Sequence, residues 1–203
     1  LHNEDQEQEC SVKLRAAIAA VAVLALSACS GQTAGSAAIV GDTRITDATI
    51  SAEVENLLTA QGKSLDDASP SMMATALGRA VTTELVDQVA TKEGVTVNEG
   101  EIDAVLDAYG EQAGGIAEFE KYLLTQDVAP DQITGIIRLN IQVEKLGLKL
   151  APNESPDMQS LAVFQTIGAY SEEVGVEISP RYGAWDAANL TIGPPPDDLS
   201  TPN

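Results

Sequence analysis

Ala37-Ala38-Ile39-Val40-Gly41-Asp42-Thr43-Arg44-Ile45-Thr46 decides the reading of this chain. Apolar residues flank Gly41-Asp42, a two-residue pair suited to a tight hairpin turn. Thr46 then stands where a helix N-cap is needed. Ile50, Val54, Leu57 and Leu58 follow at helical spacing, and Gly62 ends the run. A lone hairpin is marginal in water, so Ile39, Val40 and Ile45 need a partner strand. The expected partner is far along the chain, at Val176 to Ile178, where Val174-Gly175-Val176-Glu177-Ile178 takes on strand character.

Between these ends the pattern is helical. Ser69-Pro70 opens a long helix with proline at its first position and an apolar stripe of Met73, Leu77, Ala80, Val81, Leu85 and Val89. Asn98-Glu99-Gly100-Glu101 reads as a capping box ahead of Ile102, Val105, Leu106 and Tyr109. Gly114-Gly115 breaks the chain, and Ile116, Phe119, Tyr122 and Leu123 form a short helix. Pro130 opens another, with Ile133, Ile136, Ile137, Ile141 and Leu146 inward, and Pro152 stops it. Ser155-Pro156 starts a last helix whose apolar positions are Met158, Leu161, Phe164 and Ile167. The expected fold class is mainly α, with a small β-hairpin joined by a C-terminal strand. Residues 187–203, with three consecutive prolines, read as an extended, disordered tail.

The N-terminal region carries a different signal. Lys13 and Arg15 precede an apolar run from Ala16, which ends at Leu26-Ser27-Ala28-Cys29. Cations, a short apolar core and small residues before a break are secretory logic. The run is too short to span a bilayer, which takes roughly 20 residues. Leu26-Ser27-Ala28-Cys29 resembles a bacterial lipobox. That resemblance implies a diacylglyceryl group on Cys29, cleavage before it, and anchorage to the outer face of the cell membrane. Residues 1–11 carry Glu4, Asp5, Glu7 and Glu9, the wrong sign for a signal n-region, so the signal proper is expected to start near Val12. The expected organisation is flank and signal peptide over 1–28, a Gly/Ser-rich tether over 29–36, a helical domain over 37–186, and the tail.

Composition narrows the function. The net charge is −20. Such a surface repels nucleic acid, which is held through Lys and Arg, and it repels anionic headgroups. Membrane association would therefore come from the lipid. The one histidine is His2, and the two cysteines are Cys10 and Cys29. A mature chain beginning at Cys29 would have no histidine for a Ser-His-Asp or Cys-His nucleophile and no second cysteine for a disulfide. Asp66-Asp67, Glu172-Glu173 and Asp197-Asp198 lack the spacing of a calcium loop. The reading is a non-enzyme with no metal and no cofactor beyond the covalent lipid.

Three features together are similar to SurA-type and PrsA-like extracytoplasmic foldases. The first is the lipobox followed by Ile39 to Thr46, with Gly41 matching the family's entry hairpin and Val40 in place of its usual asparagine. The second is Thr96, Glu101 and Ile102 after the long helix. The third is Ile178-Ser179-Pro180-Arg181-Tyr182-Gly183-Ala184-Trp185, similar to the family's C-terminal strand. The resemblance covers residues 37 to 186. It implies that this strand returns to the hairpin and that the module is a chaperone. Full-length members carry a parvulin prolyl isomerase domain between the two halves, whereas here only a few residues separate Leu150 from Ser155.

The resemblance implies binding of unfolded or partly folded exported polypeptides. Met72, Met73, Phe119 and Tyr122 are candidate client contacts, because thioethers and aromatic rings adapt to varied apolar partners. Each also has a plainer reading: Met73, Phe119 and Tyr122 as core, and Met72 as a helix-start residue. Arg181, Tyr182 and Trp185 read as a structural strand, with Arg181 pairing with an acid and the rings covering the hairpin edge. A fixed accessory subunit of an envelope assembly is the alternative from a different class.

Overall fold

The computed structural model describes residues 35–194. The hairpin forms as β1 (Ser36–Val40) and β2 (Thr43–Thr46), with Gly41 at φ +58, a conformation that glycine adopts without strain. The partner is β3 (Val176–Ile178). It pairs antiparallel with β1 in the register Ala38↔Ile178, Ile39↔Glu177 and Val40↔Val176, which gives a sheet of order β2-β1-β3. Backbone bonds from Gly41 N–H to the Gly175 carbonyl (3.0 Å) and from Ser179 N–H to the Ala37 carbonyl (2.9 Å) extend the contact at both ends. The central strand is thereby sealed, and Ala37, Ala38 and Val40 are buried.

Six helices fill the interval: α1 (Asp47–Ala60), α2 (Pro70–Lys92), α3 (Glu99–Ala113), α4 (Ile116–Leu124), α5 (Ile133–Leu150) and α6 (Pro156–Val174). Their starts are written in side chains. Thr46, Ser69, Asn98 and Ser155 each accept a bond from the backbone N–H three residues on, satisfying a donor that has no partner inside the helix. At Asn98 the box is reciprocal, because the Glu101 carboxylate accepts from the Asn98 N–H at 3.0 Å. Gly114, at φ +88, ends α3 in the left-handed conformation. A short 3₁₀ turn, Pro130–Gln132, precedes α5, so the proline starts the turn and Ile133 starts the helix.

Helix α2 is the hub. Leu77, Val81 and Leu85 are fully buried, and the helix packs against α1, α5, α6, β2 and a late strand described below. The main core joins these to Ile50, Val54 and Leu58 of α1, Leu146 of α5, and Val163 and Ile167 of α6. A second, smaller core of Ile102, Ile133 and Ile137 ties the α3–α4 pair to the start of α5, with Phe119 and Leu123 against it. The mainly helical class and the returning strand are as the sequence leads one to expect.

Two expectations are corrected. Residues 187–203 are not all tail: Thr191–Gly193 forms β5, which pairs with β4 (Ala184–Asp186) in the register Trp185↔Ile192. The cause is a tight turn. The Asp186 carboxylate accepts from the N–H groups of Ala188 and Asn189 and from the Asn189 side chain, and Leu190 takes φ +51 to complete the reversal. Residues 195–203 of that expected tail lie outside the described residues, as do 1–34. The second correction concerns α6. Ile167 is buried, but Met158, Leu161 and Phe164 are exposed; the inward row is Val163, Ile167 and Ser171.

Candidate functional site

The N-terminal half of α2 lies between two depressions. On one side α1 and the 127–132 segment form a cleft of about 210 Å³, lined by Val54, Leu57, Met72, Ala76, Glu53, Arg79 and neighbouring polar groups. On the other side, Leu139 of α5 and Leu190-Thr191-Ile192 bound a wider groove of about 630 Å³ over Ala74, Gly78 and Thr82. Ser71, Thr75 and Arg79 line both. The floor is set by small residues of α2, which leave room between walls that include branched apolar side chains.

One ion pair sits in the cleft. Arg79 lies 3.7 Å from the Glu53 carboxylate and donates to Gln132 Oε1 at 3.0 Å. Burial pushes the Glu53 carboxyl up; Arg79 opposes that, and Asp131 adds to it. A guanidinium keeps its proton, so the pair is no acid–base couple. The arrangement is fitted to holding apolar side chains beside a polar rim. Among the described residues no cluster of histidine, cysteine, aspartate and glutamate side chains converges as a set of metal ligands.

The four candidate contacts fall in different places. Met72 is half-buried and lines the cleft. Met73, its neighbour, packs against the main core. Phe119 is half-buried on the second core, its ring centroid 5.4 Å from that of Tyr109. Tyr122 is 61% exposed, and with Tyr109 and Ile116 it leaves apolar surface open on the α3–α4 pair. The structure therefore brings Met72 to a cleft and Tyr122 to a surface, and does not bring the two pairs together. Cys29 lies outside the described residues.

Arg181 and Tyr182 are not on a strand. They occupy a turn closed by the Tyr182 N–H to the Ser179 carbonyl at 2.9 Å, with Pro180 at the second position, where its fixed φ is suited. Trp185 alone of the three lies on a strand, β4. The turn is latched to the start of α1. Arg181 pairs with Asp47 and lies over the Tyr182 ring, 4.7 Å from its centroid, and the Tyr182 hydroxyl bonds Asp47 Oδ1 at 3.1 Å. Trp185 donates its indole N–H to the buried Ser171 hydroxyl at 3.2 Å. Sequence reading missed the apolar row Met158, Leu161 and Phe164 as surface; the signal was its separation from a second row, Val163 and Ile167, on the same helix.

The connection from α5 to α6 is Ala151–Ser155, so no domain is inserted between these helices. No curated protein and no solved structure matches the chain. A family model described as the SurA-like N-terminal domain matches residues 6–147, which takes in the hairpin and α1 to α4 and most of α5. The chain therefore belongs to the SurA-like N-terminal domain family, a chaperone-type module.

Proposed function

We propose that this protein is an exported lipoprotein, anchored through Cys29 to the outer face of the bacterial cell membrane, that holds newly exported unfolded polypeptides without catalysing prolyl isomerisation. Family membership carries the reading. The open depressions along α2, with Met72 in one of them, support it: apolar walls over a floor of small residues accept varied side chains rather than one ligand. Phe119 supports, and Tyr122 presents, a second apolar surface. The absence of isomerase chemistry rests on the five-residue connection between α5 and α6 and on His2 being the one histidine. No cofactor is assigned beyond the lipid. The net charge of −20 favours clients over nucleic acid.

The test has three parts. The protein should suppress light scattering from a denatured model protein at near-stoichiometric ratio. It should leave cis–trans exchange of a proline peptide at its uncatalysed pace, on the order of tens to hundreds of seconds. Mass spectrometry of native membranes should find an acylated N-terminal peptide beginning at Cys29. Isomerase turnover, or an unmodified chain retaining residues 12–28, would overturn the corresponding part. Tight binding to one folded envelope protein, with no effect on aggregation, would make it an accessory subunit instead.

A further inference from the structure

Helix α6 lies beyond the residues matched by the family model. Its outward face is apolar. Met158, Leu161 and Phe164 are 48%, 43% and 41% exposed. Met158, Leu161 and Phe164 follow one another three residues apart, so each adjoins the next on the helix surface. From Met158 to Ser171 the helix carries no charged residue, in a chain where 21% of residues are charged. Neighbouring apolar side chains exposed on an uncharged stretch of helix are available for contact with an apolar partner.

Beyond Phe164 this side of the helix is already covered. A Cβ on Gly168 would stand 2.9 Å from the Ala187 carbonyl oxygen, and Trp185 bonds Ser171, so the β4–β5 hairpin lies along this end of α6. The first half is open. Acids bound the open half. Glu154 and Asp157 stand at its N-terminal end, and Asp186 stands at the hairpin turn; none of the three has a basic partner among the described residues. The Asp186 carboxylate is satisfied by amide donors instead, which leaves its charge uncompensated.

The charges select the occupant. A second copy would bring another −20 against this face. A lipid surface with anionic headgroups is repelled by the same acids. An uncharged apolar face with acidic ends complements an apolar segment with basic ends. From Met158 to Phe164 the helix rises about 9 Å at 1.5 Å per residue. That is roughly three residues of extended chain at about 3.3 Å each.

We propose that the face formed by Met158, Leu161 and Phe164 receives short apolar segments of unfolded polypeptide flanked by lysine or arginine. This deepens the chaperone reading and rests on it. The test uses the full chain in phosphatidylcholine nanodiscs, with empty discs as the blank, and fluorescent peptides read by anisotropy. Three peptides are compared: a Leu/Phe core flanked by lysine, the same core flanked by glutamate, and a Ser/Gly core flanked by lysine. The first should bind about tenfold or more tighter than either other. Leu161→Gln with Phe164→Gln should remove that advantage while the far-UV circular dichroism stays unchanged, since both side chains are exposed. Glu154→Lys with Asp157→Lys should shift preference toward the glutamate-flanked peptide. Equal binding of the two apolar peptides, or binding indifferent to the Leu161 and Phe164 changes, would overturn the inference. If no peptide binds but aggregation is still suppressed, the inference fails and the chaperone reading stands. If aggregation is not suppressed either, both fall.

Discussion

Ending the chain after Gly175 should unfold the helical domain, although every helix would remain in the sequence. The deletion removes β3 from the edge of β1 and exposes Ala37, Ala38 and Val40, which are buried. It removes Val176, Ile178, Tyr182, Trp185, Leu190 and Ile192, all packed against the main core as partly buried side chains. Full burial of a large apolar side chain contributes about 1.5–3 kcal/mol, so half-burial contributes about 1 each and the group about 6 kcal/mol. The Ser179–Ala37, Tyr182–Asp47 and Trp185–Ser171 bonds add about 1 kcal/mol apiece. Domains of this size have net stabilities of about 5–15 kcal/mol, so the loss is comparable to the whole. Urea unfolding followed by far-UV circular dichroism reads this directly. The truncated chain should show no cooperative transition, or one with a much lower midpoint. A midpoint equal to that of the intact chain would refute the claim that the C-terminal strand completes the fold.

Other perturbations test single contacts. Trp185→Phe keeps most of the packing but loses the bond to Ser171; it should cost about 1 kcal/mol, whereas Trp185→Ala should cost about 3, and a Trp185→Phe variant that melts with the parent would count against that bond. Asn98→Ala removes one half of a reciprocal cap and should destabilise by about 1 kcal/mol in thermal melts, with Asn98→Asp close to neutral. Glu53 has its pKa raised by burial, so its contribution to stability is fully present below the unfolded-state value and is lost as pH rises through the folded-state value. Glu53→Gln should therefore gain on the parent as pH rises from 4 to 7, and a difference that shrinks with rising pH would contradict the burial argument.

Much of the fold was legible because its signals are local. Thr46, Ser69, Asn98 and Ser155 cap helices through bonds to backbone three residues away, and Gly41-Asp42 turns the hairpin on its own chemistry. The strand at Val176 was readable because an open hairpin edge demands a partner. The β4–β5 hairpin was not. Its strands are three residues long, and although the Asp186 turn is local, the hairpin is held in place by contacts with α6: Gly168 against Ala187, and Trp185 against Ser171. Helix α6 carries two apolar rows, and periodicity alone does not say which faces in. Packing decides it: Gly147 of α5 lets Gln159 approach closely, which turns Val163 and Ile167 inward and Phe164 outward. The cleft on α2 was half readable. Met72 was in view, but the Glu53–Arg79 pair joins two helices and has no sequence signature.

The proposed function requires the module to recognise the unfolded state of its partners rather than one folded surface. The most direct measurement compares its binding to one exported model protein in two forms, native and irreversibly unfolded by reduction and alkylation. A holdase should show measurable affinity for the unfolded form and none for the native one. Binding to the native form, with the unfolded form ignored, would contradict it.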